Sequence, residues 1–178
     1  MESNSVFTTL VMPLFNALGS PYSRQLESLV CSLDPQLDNE DPQSFLDWLL
    51  QQNEGNNLPF GTRCLVDTGL GQVLGVGSLV PDDRGAAVFL QAHGIKVDGL
   101  IGGIQIFRKV PGLSQVRGLG LGTWLCNHLD REITAAGGGR WALMTDNPVA
   151  ARIYLGIGYC SVDLEYGGER VFVKKYPR

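Results

Sequence analysis

Glycine is segregated along this chain: of its 23 glycines, Gly19 alone precedes Gly55. Glycine supplies tight turns and left-handed backbone, and it weakens helix interiors. The distribution therefore predicts a helical front and a turn-dense, sheet-rich remainder. At 178 residues the chain is long enough for one domain with its own core. We read 1–178 as a single unit, helical and acidic over 1–55 and sheet-forming over 60–178. With 44% hydrophobic residues the chain is too apolar to stay unfolded.

Several function classes lose their support. The longest apolar runs, such as Ala86 to Leu90, fall far short of the ~20 residues that cross a bilayer, so no membrane partner is expected. Met1-Glu2-Ser3-Asn4 does not open a signal peptide, which makes a cytoplasmic location the expectation. Cys31, Cys64, Cys126 and Cys160 form no C-x-x-C pair, and His93 and His128 form no H-E-x-x-H, so no metal is expected. A Gly-Lys pair and a G-x-S-x-G elbow are both missing, which removes kinase-like and hydrolase-like readings. Residues 1–54 carry eight acidic side chains against Arg24 alone, while the rest carry 13 basic and 10 acidic groups. That balance and the net charge of −4 discourage a nucleic-acid partner. A mildly basic back could hold a polyanion while the acidic front draws a cation.

Local signals set an element order of β-α-α-β-β-β-α-β-α-β-β. Val6–Met12 reads as a strand, and Ser20-Pro21 and Asp41-Pro42 each open a helix as cap plus first-turn proline. Arg63–Asp67 and Val73–Val80 form a hairpin, residues 86–97 fit either a strand or a short helix, and Leu100–Val110 is a long strand. Gly102-Gly103 inside that strand marks a bulge or a close approach of another molecule. An amphipathic helix runs from Gly120 to Gly137-Gly138-Gly139, Arg140–Thr145 is a strand, and Asn147-Pro148 opens a brief helix through Tyr154. Tyr159–Tyr166 and Arg170–Lys175 close the chain as a hairpin.

The chemistry lies in Gln115-Val116-Arg117-Gly118-Leu119-Gly120-Leu121-Gly122, between a strand and a helix. Such a turn gathers unpaired backbone N–H groups and the positive end of a helix dipole, which suits a phosphate or pyrophosphate. Arg117 adds a cation. A dinucleotide-binding turn needs a third glycine where Thr123 or Leu125 stands, so that pattern fails. Arg117, Gly120 and Gly122 instead fill [QR]-x-x-G-x-[GA], and Asn147 through Tyr159 fills N-x-x-A-x-x-x-Y-x-x-x-G-[FY]. On these two runs the chain resembles the GNAT superfamily of acyl-CoA N-acyltransferases.

The resemblance implies an α/β (α+β) fold whose mixed, mostly antiparallel central sheet of six to seven strands is flanked by about four helices. It implies acetyl-CoA as cosubstrate, with the pyrophosphate held by Arg117 and the amides of Val116, Gly118, Leu119, Gly120, Leu121 and Gly122. The strand ending near Val110 would pair with the pantetheine arm, the backbone of Gln105 or Ile106 would polarise the thioester carbonyl, Asn147 would contact the cofactor arm or an ordered water, and Ala150 would meet the cofactor. Tyr154 matches the tyrosine that protonates the departing thiolate. His93 and Asp98 are the candidates for a base that takes a proton from the acceptor. The approach from Val110 to Val116 is longer than the family's pattern, which leaves the carbonyl-polarising residue open. The implied reaction is acetyl transfer to a primary amine by direct attack, with a non-catalytic acyl-CoA-binding module as the alternative. On this reading Asp38, Glu40, Asp41 and Asp47 attract a cationic acceptor, and association as a homodimer stays open.

Overall fold

The computed structural model describes residues 9–13, 60–80, 85–107, 110, 113, 116 and 118–177. Seven strands form one sheet: β1 (Thr9–Pro13), β2 (Gly61–Asp67), β3 (Gln72–Val80), β4 (Gly99–Ile106), β5 (Gly139–Thr145), β6 (Cys160–Tyr166) and β7 (Glu169–Tyr176), in the order β1-β2-β3-β4-β5-β7-β6. All neighbours pair antiparallel except β4 and β5. The described helices are α1 (Ala86–Ala92), α2 (Leu121–Ala135) and α3 (Pro148–Gly156). Both early helices expected from Ser20-Pro21 and Asp41-Pro42, with Asp38, Glu40, Asp41 and Asp47, lie outside the described residues.

Local chemistry explains most boundaries. Asp67 Oδ1 accepts hydrogen bonds from the N–H of Gly69 (2.8 Å) and Leu70 (3.1 Å), closing the β2–β3 hairpin as an Asx turn. Helix α2 ends in a Schellman motif, in which Gly138 N–H donates to Ile133 O (2.9 Å) and Gly137 N–H to Thr134 O (3.2 Å). The ambiguous segment after Gly85 is helical, because Ala86, Ala87 and Leu90 recur at helical spacing and bury one stripe.

Side chains alternate across the sheet. Leu79, Ile101, Leu143 and Phe172 meet Leu125 and Leu129 of α2 and Ala151 and Tyr154 of α3 on one face. Val80, Leu100, Ala142 and Val171 meet α1 on the other. A buried ion pair ties α2 to β2: Arg63, 5% exposed, donates from Nε to Glu132 Oε1 and Oε2 (3.1 and 2.9 Å) and from Nη2 to Oε2 (2.8 Å). Removing the carboxylate takes this partner away from the guanidinium of Arg63, a residue 5% exposed. Glu132→Met should therefore lower unfolding stability by about 3 kcal/mol, the low end for a buried pair because Glu132 is partly exposed; an unchanged urea midpoint would contradict this.

Burial also pushes the thiols of Cys64 and Cys126 from 9.0 up to about 12. Both stay protonated in the folded chain while the unfolded chain ionises, so their contribution is complete below about pH 8.5 and is lost between there and about pH 12. Urea midpoints measured under reducing conditions should fall from pH 9 to pH 11, less steeply in Cys64→Val; an equal slope in that variant would assign the fall to other groups.

Strand β4 is shorter than its sequence predicts and is bulged near its middle. The long strand expected over Leu100–Val110 stops at Ile106. Leu113 N–H donates to Val110 O (3.0 Å), so the chain reverses there and a strand cannot continue through the reversal. Within β4, Ser78 faces Gly102 but Val76 faces Gln105, so three steps on β4 oppose two on β3. This is a bulge with Gly103 at φ +58°, where a side chain would be strained. Gly102-Gly103 marked it in the sequence. Strands β4 and β5 pair only at Gly99↔Trp141 and Leu100↔Ala142. Beyond those pairs β4 follows β3 and β5 follows β7, and a gap opens between them. A bulge bends its strand and sharpens the twist, which swings β4 away from β5.

Candidate functional site

The first turn of α2 stands beside the end of β4. A Cβ at Gly122 would lie 3.6 Å from Ile153 Cδ1 of α3 and 3.7 Å from Ile106 Cγ1 of β4, so three elements converge there. Val116 and Leu121 are buried with Phe107 and Val110, anchoring the turn at both ends. Between these anchors Gly118, Leu119 and Gly120 stand exposed. Gly120 is the N-cap of α2 at φ +77°; no side chain caps it and the first turn holds no acidic residue. A Cβ at Gly120 would meet nothing within 4 Å among the described residues, and Gly118, Leu119 and Gly120 are all exposed. First-turn N–H groups lack intrahelical partners and carry the positive end of the helix dipole, which fits an anionic diphosphate. Arg117, expected to join them, lies outside the described residues.

Tyr154 is 7% exposed on α3, its ring packed near Tyr159 (6.1 Å between centroids) and edge-on to Phe172 (6.0 Å). Its hydroxyl makes no hydrogen bond to any described residue. Burial pushes the phenol above its ordinary range, and the nearby Cys126 and Glu169 push further in the same direction. Tyr154 therefore keeps its proton at neutral pH. Asn147 caps α3, its Oδ1 accepting from Val149 N–H (2.9 Å) and Ala150 N–H (3.3 Å), and its own N–H donates to Thr145 Oγ1 (3.0 Å). That oxygen is committed to the helix; the residue fixes where α3 leaves β5, and half-buried Ala150 follows in the first turn.

Gln105 and Ile106 separate by alternation. Phe107 N–H donates to Leu74 O (2.9 Å), and Gln105, two residues back, pairs with Val76. The Gln105 backbone therefore points at β3, not at the gap, which corrects the expectation for that residue, while the Ile106 backbone lies on the gap side. The side-chain oxygen Oε1 of Gln105 is sealed from solvent without a hydrogen-bond partner among the described residues.

Two expected site residues are not brought to this place. His93 is exposed at the end of α1, on the face opposite α2, its Nδ1 within 2.8 Å of Phe89 O. Asp98 links the starts of β4 and β5: its N–H donates to Arg140 O (2.7 Å) and its Oδ2 accepts from Arg140 N–H (2.8 Å). It borders a 310 Å³ depression with Gly137, Gly138, Gly139 and Trp141 at the C-terminal end of α2. Fifteen helical residues, roughly 22 Å, separate that end from Gly120. Glu169, at the start of β7, adds to the raising of the Tyr154 phenol through its charge, after burial and Cys126. Among the described residues no three His, Cys, Asp or Glu side chains gather as a metal site, and no helix is long and apolar enough to cross a membrane.

No family model matches the chain, and no curated protein matches it by sequence. Solved structures do. A GNAT-family acetyltransferase from Staphylococcus aureus is 15% identical over 94% of this chain and 99% of its own, with a TM-score of 0.61. Aminoglycoside 6'-acetyltransferase type Ii is 16% identical over 95% and 99%, with a TM-score of 0.61. A spermidine N-acetyltransferase chimera from Vibrio cholerae is 15% identical over 94% and 95%, with a TM-score of 0.58. At these identities the likeness establishes the fold, which is the GNAT fold.

Proposed function

We propose that this chain, built on the GNAT fold, is an N-acetyltransferase that moves an acetyl group from acetyl-CoA to a primary amine by direct attack in a ternary complex. The observation that carries the reading is the gap between β4 and β5, opening beside the Gly103 bulge and next to the uncapped glycine start of α2. Amides from Gly118 to Gly122, with Arg117, hold the pyrophosphate. The β4 edge from Gly102 to Ile106 borders the pantetheine arm as a strand borders its neighbour. The nitrogen of the neutral amine forms a bond to the thioester carbon, the carbon–sulfur bond breaks, Tyr154 gives its proton to the sulfur, and the proton the nitrogen sheds returns the phenolate to its acid form. The aminoglycoside and spermidine enzymes among the structural relatives act on amines, which supports this acceptor class.

A second reading, an acyl-CoA-binding module without turnover, is favoured by one observation: neither His93 nor Asp98 reaches the gap. Calorimetry with acetyl-CoA followed by thiol release over polyamines, aminoglycosides, amino acids and peptides separates the two. Micromolar binding with amine-dependent thiol release is expected. Binding with no release by any amine favours the module, and absence of binding removes both readings.

A further inference from the structure

Away from the gap, one buried carboxylate joins α2, β7 and the turn that follows α3. Asp130 of α2 is 9% exposed. Its Oδ1 accepts from the hydroxyl of Tyr159 (3.1 Å) and from that of Tyr176, the two hydroxyls standing 2.5 Å apart. Its Oδ2 accepts from Lys174 Nζ at 2.5 Å. The same ammonium donates to Ile157 O (2.6 Å), the C-cap carbonyl of α3, and lies over the rings of Tyr159 (5.2 Å) and Tyr176 (5.1 Å). Burial and the neighbouring groups push both phenols up, so they remain donors. Two hydroxyl hydrogens are shared among the three oxygen contacts of Tyr159, Tyr176 and Oδ1, and the Lys174 ammonium balances the carboxylate charge.

The helices it binds are the two that the proposed reaction needs in register. Helix α2 carries the diphosphate turn at its start, and α3 carries Tyr154 one turn before Ile157. Tyr159, held by Asp130, packs near the Tyr154 ring and donates its backbone N–H to Tyr154 O (3.0 Å). A cation at the C-terminal end of α3 also meets the negative end of that helix dipole. We propose that Lys174, through Asp130 and Tyr159, is a positioning residue that sets where Tyr154 delivers its proton relative to the diphosphate turn. The inference rests on the proposed acetyl transfer and adds to it a residue 20 positions from Tyr154.

The test is a double-variant cycle on the full chain. Lys174→Met keeps the stem length and leaves Asp130 two phenol donors. It should lower kcat for the best amine by about ten- to a hundredfold, the cost of a misplacement near 1 Å, with unchanged calorimetric affinity for acetyl-CoA. In a Tyr154→Phe background the same change should cost less than about twofold, because no proton delivery remains to misplace. Lys174→Arg should recover part of the rate. A full additional loss in the Tyr154→Phe background overturns the inference, since the lock would then act on something other than Tyr154. Where Lys174→Met fails to fold, Tyr176→Phe removes one donor from Asp130 and should show the same dependence on Tyr154 with a smaller loss. A wild-type chain with no turnover, or a Tyr154→Phe variant as active as wild type, overturns the assigned reaction or its acid, and the positioning role falls with it.

Discussion

Replacing Tyr154 by phenylalanine is expected to reduce kcat for acetyl transfer by about a hundredfold or more, the usual contribution of a positioned acid, while acetyl-CoA binds as before. The substitution removes one oxygen from a side chain that is 7% exposed and whose hydroxyl takes no hydrogen bond from the described residues. Core packing against Phe172 and Tyr159 is retained, so folding should barely change. The loss should also depend on the leaving group. A thioester whose thiol has a lower pKa departs without help, and with such a donor the gap between Tyr154→Phe and wild type should shrink. Burial holds the wild-type phenol protonated well above neutrality, so its rate should not fall through acid ionisation between pH 7 and pH 9. A variant with wild-type kcat on acetyl-CoA would remove Tyr154 from the reaction.

Gly120→Val should separate binding from folding in the opposite way. A Cβ at Gly120 touches nothing within 4 Å, so the cost to the fold is that of a side chain at φ +77°, about 1–2 kcal/mol. The same side chain would stand over the first-turn amides of α2. Losing two charge-assisted hydrogen bonds to the diphosphate, about 3 kcal/mol together, corresponds to roughly a hundredfold weaker acetyl-CoA binding. Dephospho and desulfo forms of coenzyme A, which keep the pyrophosphate, should be weakened equally. Pantetheine alone, which lacks it, should bind wild type and variant alike. Undiminished affinity for acetyl-CoA in Gly120→Val would show that the turn does not hold the diphosphate, and the proposed function would lose its foundation.

Much of the fold was legible because its signals are short-range. Asn147-Pro148 announces α3, since a capping side chain and a proline at the next position act within three residues. Gly102-Gly103 announces the β4 bulge for the same reason. Hydrophobic period found α2, whose buried Leu121, Leu125, Leu129 and Ile133 are spaced one turn apart. The strand end at Ile106 was less legible, because the reversal at Val110 competes with a run of β-branched residues that favours extension.

Site assignments divided along the same line. The glycine turn was readable as an exposed start to α2, because that needs only a strand before it and a helix after it. His93 and Asp98 were plausible as titratable residues near a long strand, yet a strand has two ends and a sheet two faces, and composition carries neither. Gln105 and Ile106 differ only in parity, which depends on the bond from Phe107 to Leu74 across β3. Asp130 and Lys174 stand 44 residues apart and nothing local links them.

From the order of residues alone came the caps, the turns, the bulge, the helical stripe and the glycine start of α2, each set by forces that act over one turn or one strand step. Tertiary structure alone decided that β4 and β5 part after two pairs, which end of α2 meets Asp98, and that one carboxylate locks the two helices. Those outcomes depend on pairing and burial between segments distant in sequence, where the energy lies in contacts that no single segment contains.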